Sequence, residues 1–401
     1  MNILLSLLFT FLMSACTEPP VRSEAPMHSP KQKQEILVGA SDLNTYLPKL
    51  EGKRVGLLIN HSSYVGDAHL IDLLLSKDVD VTRIFVPEHG YRGIADAGEI
   101  IDDGKDPKSG IPISSLYGEN KKPKLEDLEN VDLMIYDIQD VGVRFYTYIS
   151  SLHYMMEACA ESNTPLIVLD RPNPNGFYVD GPTLDMKFQS FVGMHAIPVV
   201  YGMTPGELAK MINGEGWLNN NVNCSLEVIP CINYAHHLNY SLPIKPSPNL
   251  PNDRSVQLYP SLCFLEATVA SVGRGTKSPF QIVGLPMTLE NFDTLFVPQS
   301  MNGAKNPKHL GRDCYGYSLR DPNPRFAEKR NRLNLTFIIE LMKMYTEGQF
   351  IDRPDFFDKL AGTDKLRMQL EAGQSEEAIR QSWQEELEAF KVKRSKYLIY
   401  D

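Results

Sequence analysis

Two carboxylates, Glu88 and Glu99, lie on one glycine-punctuated stretch that reads Pro-Glu-His-Gly-Tyr-Arg-Gly over residues 87–93 and ends Gly98-Glu99. Acids that flank a bond can serve as proton donor and as base or nucleophile, the residue set of glycoside hydrolysis. A third acid, Glu266, is set in an otherwise apolar segment, residues 259–268. Burial there would raise its pKa and suit it to donate a proton. His89, next to Glu88, is placed to orient that acid or to meet a sugar hydroxyl. Asp137, Asp140 and Arg144 follow one apolar run, and Asp170, Arg171 and Asn173 follow another. Arg274 stands between Gly273 and Gly275, where a backbone without side chains can approach a ligand and the guanidinium fork can take a carboxylate in two hydrogen bonds. Arg92, Arg144 and Arg171 compete for that task. Tyr91, Tyr146, Tyr148 and Tyr201 could stack on a sugar ring. Metal binding is the rival chemistry, because His61, Glu88, His89, Asp137, Asp140 and Asp170 could converge. The chain has no His-Glu-x-x-His or similar ligand spacing, so no metal site and no cofactor is assigned.

These polar groups follow strand-like runs at residues 54–60, 81–86, 131–136 and 165–169. Helix-like patterns at residues 68–77 and 146–161 separate the runs, which gives a β-α-β order with connections long enough for parallel crossovers. In such a sheet ligands bind outside the carboxyl ends of the strands, where all four polar clusters would meet. Thr204, Pro205 and Gly214 mark the cap, first turn and far end of a further helix. Four prolines between Pro243 and Pro251 exclude a regular central element and mark the best internal boundary. Strands at 280–286 and 314–319 and helices at 333–346 and 376–394 follow. The fold class expected is α/β: a Rossmann-like, mostly parallel sheet domain over residues 37–250, a smaller α+β C-terminal domain over 251–401, and an active site in the cleft between them.

With 401 residues, 42% hydrophobic and 22% charged, the composition is globular, and the formal net charge of -10 argues against a nucleic-acid partner. Residues 3–13 form an apolar run of the length of a signal-peptide core. The run ends in Leu-Met-Ser-Ala-Cys at Cys16, which resembles the lipobox of bacterial lipoproteins. Residues 1–15 therefore read as a lipoprotein signal peptide, Cys16 as the lipidated residue and 16–36 as a tether. That places the protein in the cell envelope, anchored to a bacterial membrane and facing the periplasm or the cell surface. Cys159, Cys224, Cys231, Cys263 and Cys314 would remain, an odd set without Cys-x-x-Cys spacing. Buried thiols are the expectation, with Cys224–Cys231 the one pairing considered.

Together, the segments at 85–93, 137–148, 169–176, 200–208 and 271–276 resemble the NamZ exo-β-N-acetylmuramidases, a family long catalogued as a domain of unknown function. The likeness runs from about residue 54 to the C-terminus. It implies a cell-wall glycosidase without a cofactor, which removes β-linked N-acetylmuramic acid from the non-reducing end of peptidoglycan-derived oligosaccharides or muropeptides. In the mechanism the residues favour, Glu88 protonates the glycosidic oxygen and Glu266 or Glu99 assists from the other side. His89 and Asp137 would hold sugar hydroxyls, and Arg274 the lactyl carboxylate. A metal-dependent hydrolase on the same sheet and a non-catalytic muropeptide-binding lipoprotein are the alternatives.

Overall fold

The computed structural model describes residues 34–87, 104–118, 120–288, 290–326 and 329–401. Cys16, Glu88, His89, Arg92 and Glu99 lie outside the described residues.

Twelve strands are described: β1 (Val55–Ile59), β2 (Tyr64–Val65), β3 (Ala68–His69), β4 (Val81–Val86), β5 (Gly104–Lys105), β6 (Pro112–Ser115), β7 (Leu133–Asp137), β8 (Leu166–Leu169), β9 (Leu226–Ile229), β10 (Ile282–Leu285), β11 (Thr294–Phe296) and β12 (Cys314–Ser318). Seven form one sheet in the order β5-β6-β4-β1-β7-β8-β9. All its neighbours pair in parallel except the edge pair β5 and β6. Without the short β5, the chain order of the strands across the sheet is 3-2-1-4-5-6, the dinucleotide-fold order, whose switch point lies between β1 and β7.

The central strands β1, β7 and β8 are buried along their whole length because both faces are covered. Leu58, Met134, Tyr136, Leu166 and Val168 point to one face, where helices Tyr148–Ser162 and Pro205–Gly214 pack. Val55, Leu57, Ile59, Leu133, Ile135, Ile167 and Leu169 alternate onto the other, under helices Leu43–Leu50 and Leu70–Leu75. This period-two division is the reason neither face reads as amphipathic in sequence. The helix at Pro205 carries the expected cap: Glu207 N donates to Thr204 Oγ1 at 3.3 Å and Thr204 N to Glu207 Oε2 at 2.9 Å.

The smaller C-terminal part holds the antiparallel sheet β10-β12-β11 and helices that include Asp253–Leu262, Thr336–Met344 and Pro354–Ala361. Its apolar residues, among them Tyr259, Phe264, Phe280 and Phe357, join the same core cluster as Leu58 and Met134. Two helix expectations are corrected. The segment at 68–77 begins as a hairpin strand, β3 against β2 around Gly66, and turns helical only at Leu70. The segment at 376–394 is two helices, Glu376–Gln381 and Gln384–Arg394, broken where Trp383 leaves helical geometry and is buried in the core.

Candidate active site

At the switch point most polar groups are spent on one another, while Asn60 Nδ2 and Asp140 Oδ1 are buried without a hydrogen-bond partner among the described residues. Ser63 Oγ donates to the Asp137 carbonyl, Gln139 N to Ser62 Oγ at 3.1 Å, and Ser62 Oγ to Asn60 Oδ1 at 2.6 Å, which stitches the end of β1 to the end of β7. The Arg171 fork grips Asp137 through Nε–Oδ1 at 2.5 Å and Nη2–Oδ2 at 2.9 Å, with both residues buried. Asp140 accepts from Tyr201 Oη at 2.5 Å and Gly142 N at 2.6 Å. Burial pushes its carboxyl up to about 6, although these donors pull the other way. Asp170 accepts from Thr204 Oγ1 and Tyr400 Oη, each at 2.6 Å, and from Gly206 N at 2.8 Å; burial likewise raises it to about 6. Asn173 donates to the Met203 carbonyl at 2.8 Å.

Arg144 is sealed inside. Its Nη1 donates to the carbonyls of Pro182 and Ile197, and its Nη2 to those of Leu360 and Ala361. Burial lowers its pKa to about 9. The residue ties the loop after β7 to helix Pro354–Ala361, a bracing task that its sequence position beside polar groups does not reveal.

Glu266 and Arg274 are placed differently. Glu266 ends a short 3-10 helix, Cys263–Ala267, and its side chain is 20% exposed while that of Arg274 is 26% exposed. The Arg274 fork spans both carboxylate oxygens, Nη2–Oε2 at 3.0 Å and Nε onto Oε1. Burial alone would lower the guanidinium pKa, and Glu266 more than offsets this. The pair borders two cavities. One, about 210 Å³, is lined by Tyr146, Tyr148, Asn249, Tyr259 and Phe280. The other, about 880 Å³, is lined by Ser271, Lys308, Asp352, Arg353 and Phe356. Sequence placed Glu266 in apolar burial with Arg274 free for a ligand carboxylate. The fold instead makes each the other's partner, since the turn at Gly273–Gly275 lifts the guanidinium onto the acid.

Of the candidates described, Asp137, Asp140, Asp170, Arg171 and Asn173 gather at the sheet edge, and Glu266 and Arg274 gather at the cavities. Tyr146 and Tyr148 reach the smaller cavity, where Tyr146 Oη donates to the Pro246 carbonyl at 2.7 Å. Lys308, Asp352 and Arg353 went unnoticed in sequence because nothing in their local strings marks them. Among the described residues no three His, Cys, Asp or Glu side chains group to hold a metal ion. Cys159, Cys224, Cys231, Cys263 and Cys314 are buried free thiols, so Cys224 and Cys231 do not pair. Among the described residues no helix is long and apolar enough to cross a membrane.

A Rossmann-ordered sheet with a smaller C-terminal part, and an acid–arginine pair between cavities, defines a two-part α/β protein with a polar pocket. The chain belongs to the exo-β-N-acetylmuramidase NamZ family: residues 55–254 match its N-terminal part and 257–400 its C-terminal part. The peptidoglycan β-N-acetylmuramidase NamZ of Bacillus subtilis (strain 168) is 36% identical over 412 residues, covering 98% of this chain and 97% of the relative. A crystal structure of a DUF1343 family protein from Bacteroides fragilis NCTC 9343 superposes with a TM-score of 0.84 at 45% identity, over 92% of this chain and 99% of that one. A second from the same organism gives 0.76 at 29% identity, over 91% and 99%.

Proposed function

We propose that the protein is an exo-acting glycoside hydrolase that releases β-linked N-acetylmuramic acid from the non-reducing end of peptidoglycan fragments during cell-wall turnover. The observation that carries this is the end-to-end match to the Bacillus subtilis β-N-acetylmuramidase. Glu266 supports it as an accessible carboxylate beside a cavity lined by Tyr146, Tyr148 and Asn249, the mix of aromatic faces and hydrogen-bonding groups that suits a sugar ring.

In this reading Glu88, two residues beyond β4 in the chain, protonates the glycosidic oxygen, with Glu266 or Glu99 assisting from the other side. Asp137, Asp140, Arg144, Asp170, Arg171 and Asn173 then serve by fixing the chain that leaves β7 and β8. The lipobox-like end of the apolar run supports a lipid anchor at Cys16 and a place in the cell envelope. Replacing Cys16 by Ser should move the protein out of the membrane fraction; wild-type protein with an unmodified Cys16 would refute the anchor.

The test of activity is chromatographic analysis of a muramic acid–N-acetylglucosamine disaccharide after incubation with the purified protein, with and without chelator. Release of both monosaccharides in either case is expected. Intact disaccharide refutes the reading, and release that chelator abolishes favours a metal-dependent hydrolase.

A further inference from the structure

Glu266 is held by three cations drawn from separate segments. Arg274 takes its carboxylate. Its main-chain carbonyl accepts from Arg353 Nη2 and from Lys308 Nζ, the latter at 3.4 Å. Lys308 also donates to the Thr268 carbonyl and lies 3.8 Å from Asp352. Arg353 N reaches the Ala267 carbonyl at 3.2 Å, and Phe264 packs on Phe357 with ring centroids 5.9 Å apart, so helix Pro354–Ala361 backs the same turn.

The support for Arg274 runs deeper. Gly273 at φ 77° and Gly275 at φ 79° hold the turn in left-handed geometry. A Cβ on Gly275 would stand 2.5 Å from Pro307 Cγ and 2.6 Å from the Gln299 carbonyl. The guanidinium lies 5.1 Å over the ring of Phe280, a buried residue itself at φ 55°. A bulky residue in that region is strained, and such strain clusters where geometry must be over-determined for function. The pair keeps 26% and 20% of its side chains exposed, toward the two cavities, so what this support holds is a carboxylate that a ligand can reach.

We propose that Arg274, Lys308 and Arg353, with Phe280 beneath Arg274, are positioning residues that hold Glu266 as an oriented carboxylate anion against the sugar. The inference rests on the glycosidase reading above. Both Glu266 oxygens accept from a cation, so this residue does not supply the proton. In hydrolysis the bond between the anomeric carbon and the glycosidic oxygen breaks, its electron pair passing to the oxygen, which takes a proton from a separate acid. A water oxygen closes on the anomeric carbon and its proton restores that acid. Glu266 stabilises the positive charge that builds on the ring between these events. Arg274 is then occupied and does not clamp the lactyl carboxylate.

The experiment measures kcat and KM on paired chromogenic β-glycosides of N-acetylmuramic acid and N-acetylglucosamine, with a thermal melt for each variant. Glu266→Gln should lose about 10²- to 10³-fold in kcat with an unchanged melt. Arg274→Lys should lose roughly ten- to a hundred-fold in kcat, because a small misplacement of a reacting group is costly. Arg353→Ala and Lys308→Met should lose about three- to tenfold, with KM held within about threefold throughout. The ratio of rates on the two sugars should not move in Arg274→Lys. A Glu266→Gln enzyme with near wild-type kcat overturns the proposal, as does an Arg274→Lys enzyme that changes KM or the sugar ratio with kcat intact, which would make Arg274 a substrate clamp. If Arg274→Lys does not fold, the surface variant Arg353→Ala decides: kcat unchanged there refutes the brace. Wild-type protein inert on both glycosides and on the disaccharide overturns the glycosidase reading and this inference with it, whereas active wild type with active Glu266→Gln overturns the inference alone.

Discussion

The two polar clusters of this chain, one at the carboxyl edge of the parallel sheet and one around Glu266, contain the same residue types in opposite settings. Asp137 and Arg171 form a bidentate pair from which solvent is excluded, and Asp140 and Asp170 are buried among hydroxyl and amide donors. Glu266 and Arg274 form a bidentate pair too, but one that faces two cavities. A buried pair whose charges are spent on each other has little left for a ligand; it fixes the chain that leaves the strands. An accessible pair braced from behind keeps one face free. Polar residues at a sheet's carboxyl edge are thus as able to build a floor as a binding site, and exposure separates the two.

The contrast can be broken most forcefully at Arg171. Arg171→Ala leaves Asp137 as a buried uncompensated charge, which should cost about 3–5 kcal/mol in urea unfolding and sharply reduce soluble yield. A stable Arg171→Ala protein with lost sugar binding would instead make the sheet edge a contact surface.

A smaller effect is expected from pH. The folded-state pKa of Asp140 is about 6, above its unfolded value near 4, so the folded chain keeps a proton that the unfolded chain has released. Its contribution to stability falls as pH rises between those values and is constant above them, with a total of up to about 3 kcal/mol. Asp170 adds a slope of the same sign. The stability of Asp140→Asn relative to wild type should therefore climb from about pH 4 to pH 6 and then level off, as read from unfolding curves. A difference that is flat with pH would show that Asp140 is not buried as described.

Gly275→Ala sharpens the other side of the comparison. Its φ of 79° and the 2.5 Å approach to Pro307 force the turn to shift, for about 1–2 kcal/mol in stability and a fall in kcat together. Lost stability with unchanged kcat would separate the turn from the acid it supports. The smallest effect concerns the thiols: because all five described cysteines are free and buried, a reductant should leave the melting temperature unchanged. A fall on reduction would reveal a disulfide.

Much of the architecture was legible beforehand. Runs at residues 54–60, 81–86, 131–136 and 165–169 became β1, β4, β7 and β8, because strands buried on both faces must be largely apolar. The Thr204 cap was readable since capping is decided within one turn of chain. The outer strands β5, β6 and β9 were not, being short and not fully buried, so no hydrophobic run announces them. Family membership was legible as well, through strings such as those at 137–148 and 169–176. What the local sequence determined was which residue types each strand end would carry. Which of them meet each other and which meet solvent was decided only in the fold. Arg144 reaches across 217 residues to the Ala361 carbonyl, and Arg353 across 87 to that of Glu266. Side-chain pairing at such separations depends on how helices and turns pack, and desolvation then makes one ion pair a sealed strut while leaving another open at a cavity mouth.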